Sequence, residues 1–212
     1  MEILSWNRWR RIPIEGLERD REALASAIES VLLVAGDPIG VKALVSTLQR
    51  PRSQILDALE AVADRMNHGI RLQRAQDAVQ LATAPENAEV VRRYRGLAKP
   101  APLSRAGMET LSVVAYRQPV TRSEIEAMRG VNSDRALQTL LARDLVEERG
   151  PRSTIGTPMQ FGTSFGFLQY FGLASLKELP PALLAAQNDA QPSLLGFRQM
   201  VPAQGEAAQP ED

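Results

Sequence analysis

Apolar residues in the first half of the chain recur first with the spacing of helices and then with the spacing of strands. Over 20–35 they return at steps of three and four and draw one stripe along a helix. A short helix is predicted over 41–49, and a third begins at Ser53, whose hydroxyl can cap it. Residues 70–83 then alternate with the two-residue period of strands, on either side of a turn at Gln76-Asp77.

The pattern after residue 83 closes this arrangement and then starts it again. A helix over 86–95 is followed by "GLAKPAP", which has the composition of a stiff linker. Ser104 can cap a new helix, and Thr121-Arg122-Ser123-Glu124 forms a capping box that begins the next one. The remaining elements are a helix near 133–143, a strand at Val146, a loop over 150–158, a strand over 159–161 and a helix ending near Gly172. Each half therefore has the order of a winged helix-turn-helix, three helices followed by a hairpin.

The two halves align with each other at an offset of 80 residues. Glu29–Ala35 falls on Glu109–Ala115, and after one inserted residue Pro38 falls on Pro119. Two helical stretches can match by chance, but the shared apolar positions favour two copies of one fold. The predicted fold class is α+β and helix-dominated, with two tandem winged helix-turn-helix domains and flexible N- and C-terminal extensions. The predicted bounds are 1–19 for a partly disordered extension, 20–95 and 103–180 for the domains, 96–102 for the linker and 181–212 for a disordered tail.

Charge is balanced over the whole chain and within each half. Lys plus Arg and Asp plus Glu number 25 each, with ten of each sign over 20–95 and nine basic against eight acidic residues over 103–180. A protein that holds nucleic acid through its phosphates usually has a basic surplus. The third helix of each half, the usual reading helix, also mixes acids with arginines. We therefore expect DNA contact to be weak or indirect, and a DNA-binding transcription regulator stays the alternative.

The chain has no cysteine and a single histidine, His68. This composition excludes disulfides, iron–sulfur clusters and thiolate zinc, and it fits a reducing cytoplasm. No signal-peptide pattern and no bilayer-length apolar run is found, so we expect a cytoplasmic protein with no membrane partner. Phosphate-binding glycine loops are absent, and the carboxylates of Asp57, Glu60 and Asp64 lie on the polar side of a helix. We expect no cofactor and no metal.

Residues 162–166, "GTSFG", match the G-x-S-x-G pattern of a serine nucleophile elbow. Such a serine needs a sheet of alternating strands and helices beneath it and a histidine within reach. The chain lacks that alternation, and His68 lies in the other half. The pattern instead predicts that Thr163 or Ser164 caps the helix starting at Phe165. We expect no catalytic residue and no enzymatic activity.

The segment 165–180, "FGFLQYFGLASLKELP", carries more apolar side chains than we expect one small domain to bury. Helical spacing turns Phe165, Leu168 and Phe171 inward. The other large apolar residues of the segment are predicted to form a partner-binding groove. They are Phe167, Tyr170, Leu173 and Leu176.

The second half resembles a known protein family at several motifs that occur in the family's order. They are Ala115-Tyr116-Arg117-Gln118-Pro119-Val120, Arg129-Gly130-Val131-Asn132-Ser133 and Gly172-Leu173. Through these motifs the chain resembles the segregation and condensation protein B family, the kleisin-associated winged-helix subunit of the bacterial SMC condensin complex. The first half agrees more loosely, through 29–38, and the resemblance covers about 20–180.

The resemblance implies a homodimer formed mainly through the first winged-helix domain, at residues it does not identify. It also implies that the kleisin, segregation and condensation protein A, lies across the second domains and connects the chain to the SMC ATPase. The implied role is chromosome condensation and segregation during cell division, at the nucleoid. The residues expected at the kleisin interface are Tyr116, Arg117, Gln118, Pro119, Gly130, Val131, Asn132, Phe167, Tyr170 and Leu173.

Two segments lie outside the resemblance. The start of the chain holds Trp6, Trp9 and several arginines, which could touch DNA or an anionic surface or fold onto the first domain. The end, 181–212, is rich in Pro, Gln and Ala, and "SLLGFRQMV" over 193–201 is an apolar stretch within it that could dock onto another surface.

Overall fold

The structure is a computed structural model that describes residues 21–99, 101–154 and 156–180. The predictions for the extension over 1–19 and for the tail over 181–212, with its segment 193–201, lie outside the described residues. The chain divides into two compact units. Within the described residues, unit 1 comprises the chain up to Leu72 together with Gln76–Ala82, and unit 2 comprises Gln73–Ala75 and the chain from Thr83 to Pro180.

The first half of the chain forms three helices and a three-stranded sheet. The helices are α1 Arg21–Ala35, α2 Val41–Leu48 and α3 Arg52–Arg65, and the strands are β1 Ile39–Gly40, β2 Ile70–Ala75 and β3 Ala78–Thr83. The strand order is β1-β3-β2, and Ile39 lies opposite Val79. The apolar stripe of α1 packs against α3, and each of the three helices contributes fully buried side chains to the core of unit 1. These include Ile28, Leu44, Ile55 and Leu59.

The second half repeats this construction after a 3₁₀ turn at Pro85–Asn87 and a helix, α4, at Ala88–Tyr94. Its further helices are α5 Arg105–Arg117, α6 Arg122–Arg129, α7 Asp134–Ala142 and α8 Phe165–Phe171, and its strands are β4 Val120–Thr121, β5 Val146–Pro151 and β6 Met159–Thr163. The sheet is antiparallel in the order β4-β6-β5, with Val120 opposite Phe161. A core of unit 2 includes Leu111, Ile125, Leu140 and Leu168.

The two sheets have the same order of strands, first, third, second. In each half a two-residue strand between the first two helices pairs with the last strand of the hairpin. This common topology, together with the content of helices, confirms the predicted fold class: the protein is a helix-dominated α+β chain of two winged-helix modules. The short strands β1 and β4 were not predicted from the sequence.

The predicted helix starts are confirmed in two places and wrong in one. The Ser104 hydroxyl accepts a hydrogen bond from the Gly107 amide at 3.1 Å and caps α5. At α6 the Thr121 and Glu124 side chains exchange hydrogen bonds with each other's backbone amides, which is the predicted capping box. Ser53, however, does not cap α3, which begins one residue earlier after Pro51 and has no side-chain cap. Pro51, with a ψ of 145°, is the residue before the helix, and it has no side-chain oxygen that could accept a hydrogen bond from the first amides of α3.

Candidate functional site

The turn between α6 and α7 displays a family motif at the surface of unit 2. Gly130 ends α6 with a φ of 70°, a left-handed conformation that favours glycine. Val131 follows and is 55% exposed, and Asn132 is exposed beside it. The Asn132 Oδ1 accepts a hydrogen bond from the Asp134 amide at 3.1 Å, at the start of α7. The turn therefore holds an apolar and an amide side chain outward in a defined conformation.

A buried arginine side chain stabilises this turn through hydrogen bonds. The side chain of Arg129 is 6% exposed, and it donates from Nη2 to Glu109 Oε2 at 3.1 Å and from Nη1 to Ser133 Oγ at 2.7 Å. The Ser133 amide donates in turn to Glu126 Oε1 at 3.1 Å. Hydrogen bonds from Arg105 and Arg129 hold the pKa of Glu109 below its ordinary value. The charged network ties α5, α6 and the start of α7 together around the exposed residues.

The second motif, at the end of α5, combines anchored and exposed residues. The Gln118 Oε1 accepts from the Thr163 amide at 2.9 Å, and its Nε2 donates to the Ala115 carbonyl at 3.2 Å. The peptide bond between Gln118 and Pro119 is cis. Arg117 and Pro119 on either side of Gln118 are exposed. Gln118 thus links α5 to β6 through hydrogen bonds, and its two neighbours in the sequence lie at the surface.

Tyr116 is half-buried at the edge of the core of unit 2. Its hydroxyl donates to the carbonyl oxygen of Pro180 at 2.8 Å, and burial raises the pKa of the phenol. This contact holds Pro180 against α5, so Tyr116 has a packing role in unit 2.

The helix α8 corrects the predicted groove. Phe167 is fully buried and Leu173 is 6% exposed, so the expectation that these two side chains line a surface groove is wrong. Tyr170 and Leu176 are half-buried against the same core. Positions 167, 168 and 171 lie on one face of α8, and their side chains pack into the core of unit 2. Phe165, which was expected to turn inward, is only partly buried.

The Gly172-Leu173 motif has a structural explanation. Gly172 ends α8 with a φ of 69°, and a Cβ added there would lie 2.8 Å from the Cβ of Pro85. Gln73 Nε2 donates to the carbonyl of Leu173 at 2.8 Å, and the Arg74 amide donates to the carbonyl of Ala174 at the same distance. These bonds explain why Gln73–Ala75 belong to unit 2.

Ser164 is the cap of α8, as predicted. Its hydroxyl accepts from the Phe167 amide at 3.3 Å and donates to the carbonyl oxygen of Asp144, and the residue is 2% exposed. A buried hydroxyl that is engaged in both directions has no proton to give to an imidazole. The single histidine, His68, lies in unit 1.

The surface of α7 does not present a basic face. Arg122, at the start of α6, pairs with both Glu126 and Asp134, and Arg143 donates to the Ala101 carbonyl at 2.8 Å. Carboxylates therefore neutralise Arg122 beside the helix that would read a DNA groove, and the charge around that helix is mixed. Within the described ranges no three potential ligands cluster as a metal site, and no helix there is both long and apolar enough to cross a bilayer.

The chain joins two winged-helix modules, so it is a tandem winged-helix protein. Internal hydrogen bonds hold its surface turns, and the charge around its reading helix is mixed. Residues 26–182 match the model of the family described as segregation and condensation complex subunit ScpB, and the chain belongs to this family. Its function accordingly lies in chromosome segregation and condensation.

Individual relatives agree with this assignment over most of their length. The chain is 40% identical to segregation and condensation protein B of Desulforamulus reducens over 165 residues, which cover 76% of this chain and 90% of the relative. It is 38% identical to the protein of the same name from Moorella thermoacetica, covering 84% and 93%. A crystal structure of ScpB from Mycobacterium tuberculosis is 35% identical over 74% of this chain and 99% of that one, with a TM-score of 0.36. The sequence identities carry the assignment.

Proposed function

We propose that this chain is a non-enzymatic subunit that forms a homodimer through its first winged-helix domain and binds the kleisin through its second. It joins the SMC ATPase through the kleisin, works in the cytoplasm at the nucleoid, and meets DNA weakly or through its partners. The observation that carries the proposal is the exposure of Val131 and Asn132 on a turn that Arg129 and Glu126 hold from inside.

This surface suits a flexible partner segment. Val131 supplies apolar area, Asn132 and Arg117 supply hydrogen-bonding groups, and all three are exposed. A kleisin segment that becomes ordered on binding loses conformational entropy, which burial of apolar surface on a preorganised turn offsets. Tyr116 and Gln118 act as supports of this interface, and Phe167 and Leu173 support it as core residues. The mixed charge around α7 gives the transcription-regulator alternative no support.

The interface is tested by Val131→Glu in the full-length chain. A buried, unpaired carboxylate opposes apolar contact, so we expect the affinity for the kleisin linker to fall at least about tenfold, or about 1.4 kcal/mol. Thermal unfolding is expected to stay unchanged, because Val131 makes little contact within the chain. Titration calorimetry with the purified kleisin measures the affinity.

Met159→Glu is the matched control, because Met159 is also an exposed apolar residue of unit 2, at 37%, outside both surface motifs. Equal kleisin affinity for the wild type and both variants would remove the α6–α7 turn from the interface. Tight, steeply salt-dependent binding of the isolated protein to one DNA duplex would favour the regulator instead.

A further inference from the structure

Helix α4 presents apolar side chains to solvent. Val90 is 66% exposed and Tyr94 is 91% exposed, and the two lie one turn apart on the same face. Leu97, just after the helix, is 50% exposed. We call these three residues the α4 patch. Scattered exposed apolar residues are ordinary, but a tyrosine and two aliphatic residues gathered at one short helix indicate a surface that another segment covers.

The backbone of the patch is well fixed. The Leu97 amide donates to the Arg92 carbonyl at 3.0 Å, and the Gly96 amide donates to the Arg93 carbonyl at 3.1 Å. Together with the left-handed φ of 64° at Gly96, these bonds form a Schellman motif that closes the helix. Arg92 Nη1 adds a hydrogen bond to the Leu97 carbonyl at 2.8 Å. The exposed side chains are therefore carried on a closed helix end.

The rim of the patch is basic. Four of the eight residues over 92–99 are Arg or Lys and none is acidic. Arg93, Arg95 and Lys99 among them are exposed. Glu89 lies on the same helix and pairs with Arg92 and with Arg93, and these contacts lower the pKa of Glu89. An apolar centre with a cationic rim fits an apolar segment that has acidic flanks.

The chain itself supplies such a segment in its last residues. Over 193–201 five of the nine residues are large and apolar, namely Leu194, Leu195, Phe197, Met200 and Val201. The tail 181–212 carries four acidic residues, Asp189, Glu206, Glu211 and Asp212, against a single Arg198. Its charge is thus opposite to that of the rim.

The connection is long enough to bring the two together. Twelve residues, 181–192, separate Pro180 from the segment, and in extended form they span about 40 Å. A compact domain of roughly 100 residues has a radius of gyration of about 13 Å. We propose that the segment 193–201 docks on the α4 patch of its own chain, with the apolar residues on Val90, Tyr94 and Leu97 and the acidic flanks toward the basic rim. This docking is independent of the proposed kleisin interface.

Arg198 provides the readout, because it is the only trypsin site in the tail. The rate of cleavage of the Arg198–Gln199 bond is followed by mass spectrometry in the full-length protein and in a free peptide of residues 181–212. A short tether gives an effective concentration in the millimolar range, so even modest docking should slow cleavage about tenfold. Phe197→Ser and the pair Val90→Ala with Tyr94→Ala should each restore the rate of the peptide. Both helix positions are exposed, so thermal unfolding should not change.

Leu184→Ser is the matched control within the tail, and it should keep the protection. Docking within one chain gives protection that does not depend on protein concentration. Cleavage at the rate of the free peptide, or protection that the Val90 and Tyr94 changes leave intact, would overturn the proposal. Protection that rises with concentration would assign the patch to a second copy. If the tail of the wild type is cleaved at the rate of the free peptide, and the Val90 and Tyr94 variant loses DNA binding or kleisin binding, the patch is assigned to the partner whose binding is lost.

Discussion

Glycine at positions 162 and 166 leaves room for close neighbours at the start of α8, side chains in one case and backbone in the other. A Cβ on Gly166 would meet the Asp144 carbonyl oxygen well inside 3.0 Å, and one on Gly162 would lie 2.8 Å from Gln118 Oε1. Between them Ser164 caps the helix. Close packing against neighbouring atoms and helix capping thus account for Gly and Ser at the same spacing as a nucleophile elbow. The G-x-S-x-G pattern in this chain is accounted for by packing.

Phe167 gives the sharpest prediction for a single residue. Phe167→Ala removes a fully buried ring that lies 4.8 Å from the ring of Phe171, centre to centre. We expect the free energy of unfolding to fall by about 3–5 kcal/mol, through lost apolar burial and a cavity. Urea unfolding followed by circular dichroism measures it. Val131→Ala, at an exposed position, should change it by less than about 0.5 kcal/mol.

If Phe167→Ala changed the free energy of unfolding only slightly but greatly weakened kleisin binding, Phe167 would belong to the interface. The sequence could not place this side chain, because a seven-residue helix allows more than one apolar arc. Steps of three favour 165, 168 and 171, whereas the folded helix buries 167, 168 and 171. The choice between the arcs is made by contacts with distant residues of the core.

At the scale of elements, the start of α6 is held by contacts between neighbouring residues and by an ion pair with a residue far away in the sequence. The capping box is readable in four consecutive residues, and Glu124 Oε2 accepts from the Thr121 amide at 2.8 Å. Its partner Arg152 comes 28 residues later, just after β5, and donates from Nη1 to Glu124 Oε1 at 2.6 Å and from Nη2 to Oε2 at 3.1 Å. This bidentate ion pair links the helix-turn-helix to the wing. The sequence predicted the cap but not the arginine.

The ion pair predicts a pH dependence of stability. The hydrogen bonds from Arg152 and then from the Thr121 amide lower the pKa of Glu124 from 4.5 to about 2. A carboxylate whose pKa is lowered by folding stabilises the fold above the unfolded pKa, and that contribution is lost as the pH falls from about 4.5 toward about 2. Glu124→Gln should therefore lower the free energy of unfolding at neutral pH, by about 1 kcal/mol because the carboxylate is 42% exposed.

The difference between wild type and Glu124→Gln should shrink below pH 4.5 and vanish near pH 2, as measured by urea titrations across that range. Glu148→Gln, an exposed carboxylate on β5, is the control and should leave the pH profile of the wild type unchanged. A constant difference at every pH would mean that the lost hydrogen bonds of the cap, and not the charge, account for the effect.

The two-residue strands show where periodicity stops being informative. The long helices carry three or four turns of pattern, and their presence was predicted throughout. β1 and β4 are too short to show any period, and their pairing depends on Val79 and Phe161, each about forty residues away. Alignment of the two halves placed Pro38 on Pro119, next to both strands. Such pairing becomes visible only when the chain has folded.

For the whole molecule, self-association is the property that the proposed function requires of unit 1. Leu33 and Val34, in the last turn of α1, are 71% and 87% exposed, although they continue a helix whose other face is buried. Two adjacent aliphatic side chains at one helix end support an apolar contact that a two-fold axis would repeat on both protomers. No interface residue could be predicted from the sequence, because a helical stripe does not distinguish a core from a dimer contact.

The pair Leu33→Glu with Val34→Glu should convert the proposed homodimer into a folded monomer. Each interface would lose four aliphatic groups and gain four like charges, so we expect the dimer dissociation constant to rise at least about a hundredfold, or about 2.7 kcal/mol. Sedimentation velocity over a dilution series measures it, and circular dichroism checks the fold. Val90→Glu with Tyr94→Glu, equally exposed but in unit 2, should leave the dimer intact. If the second pair dissociates the dimer and the first does not, self-association belongs to unit 2, and the α4 patch would then be occupied by a second copy rather than by the tail of its own chain.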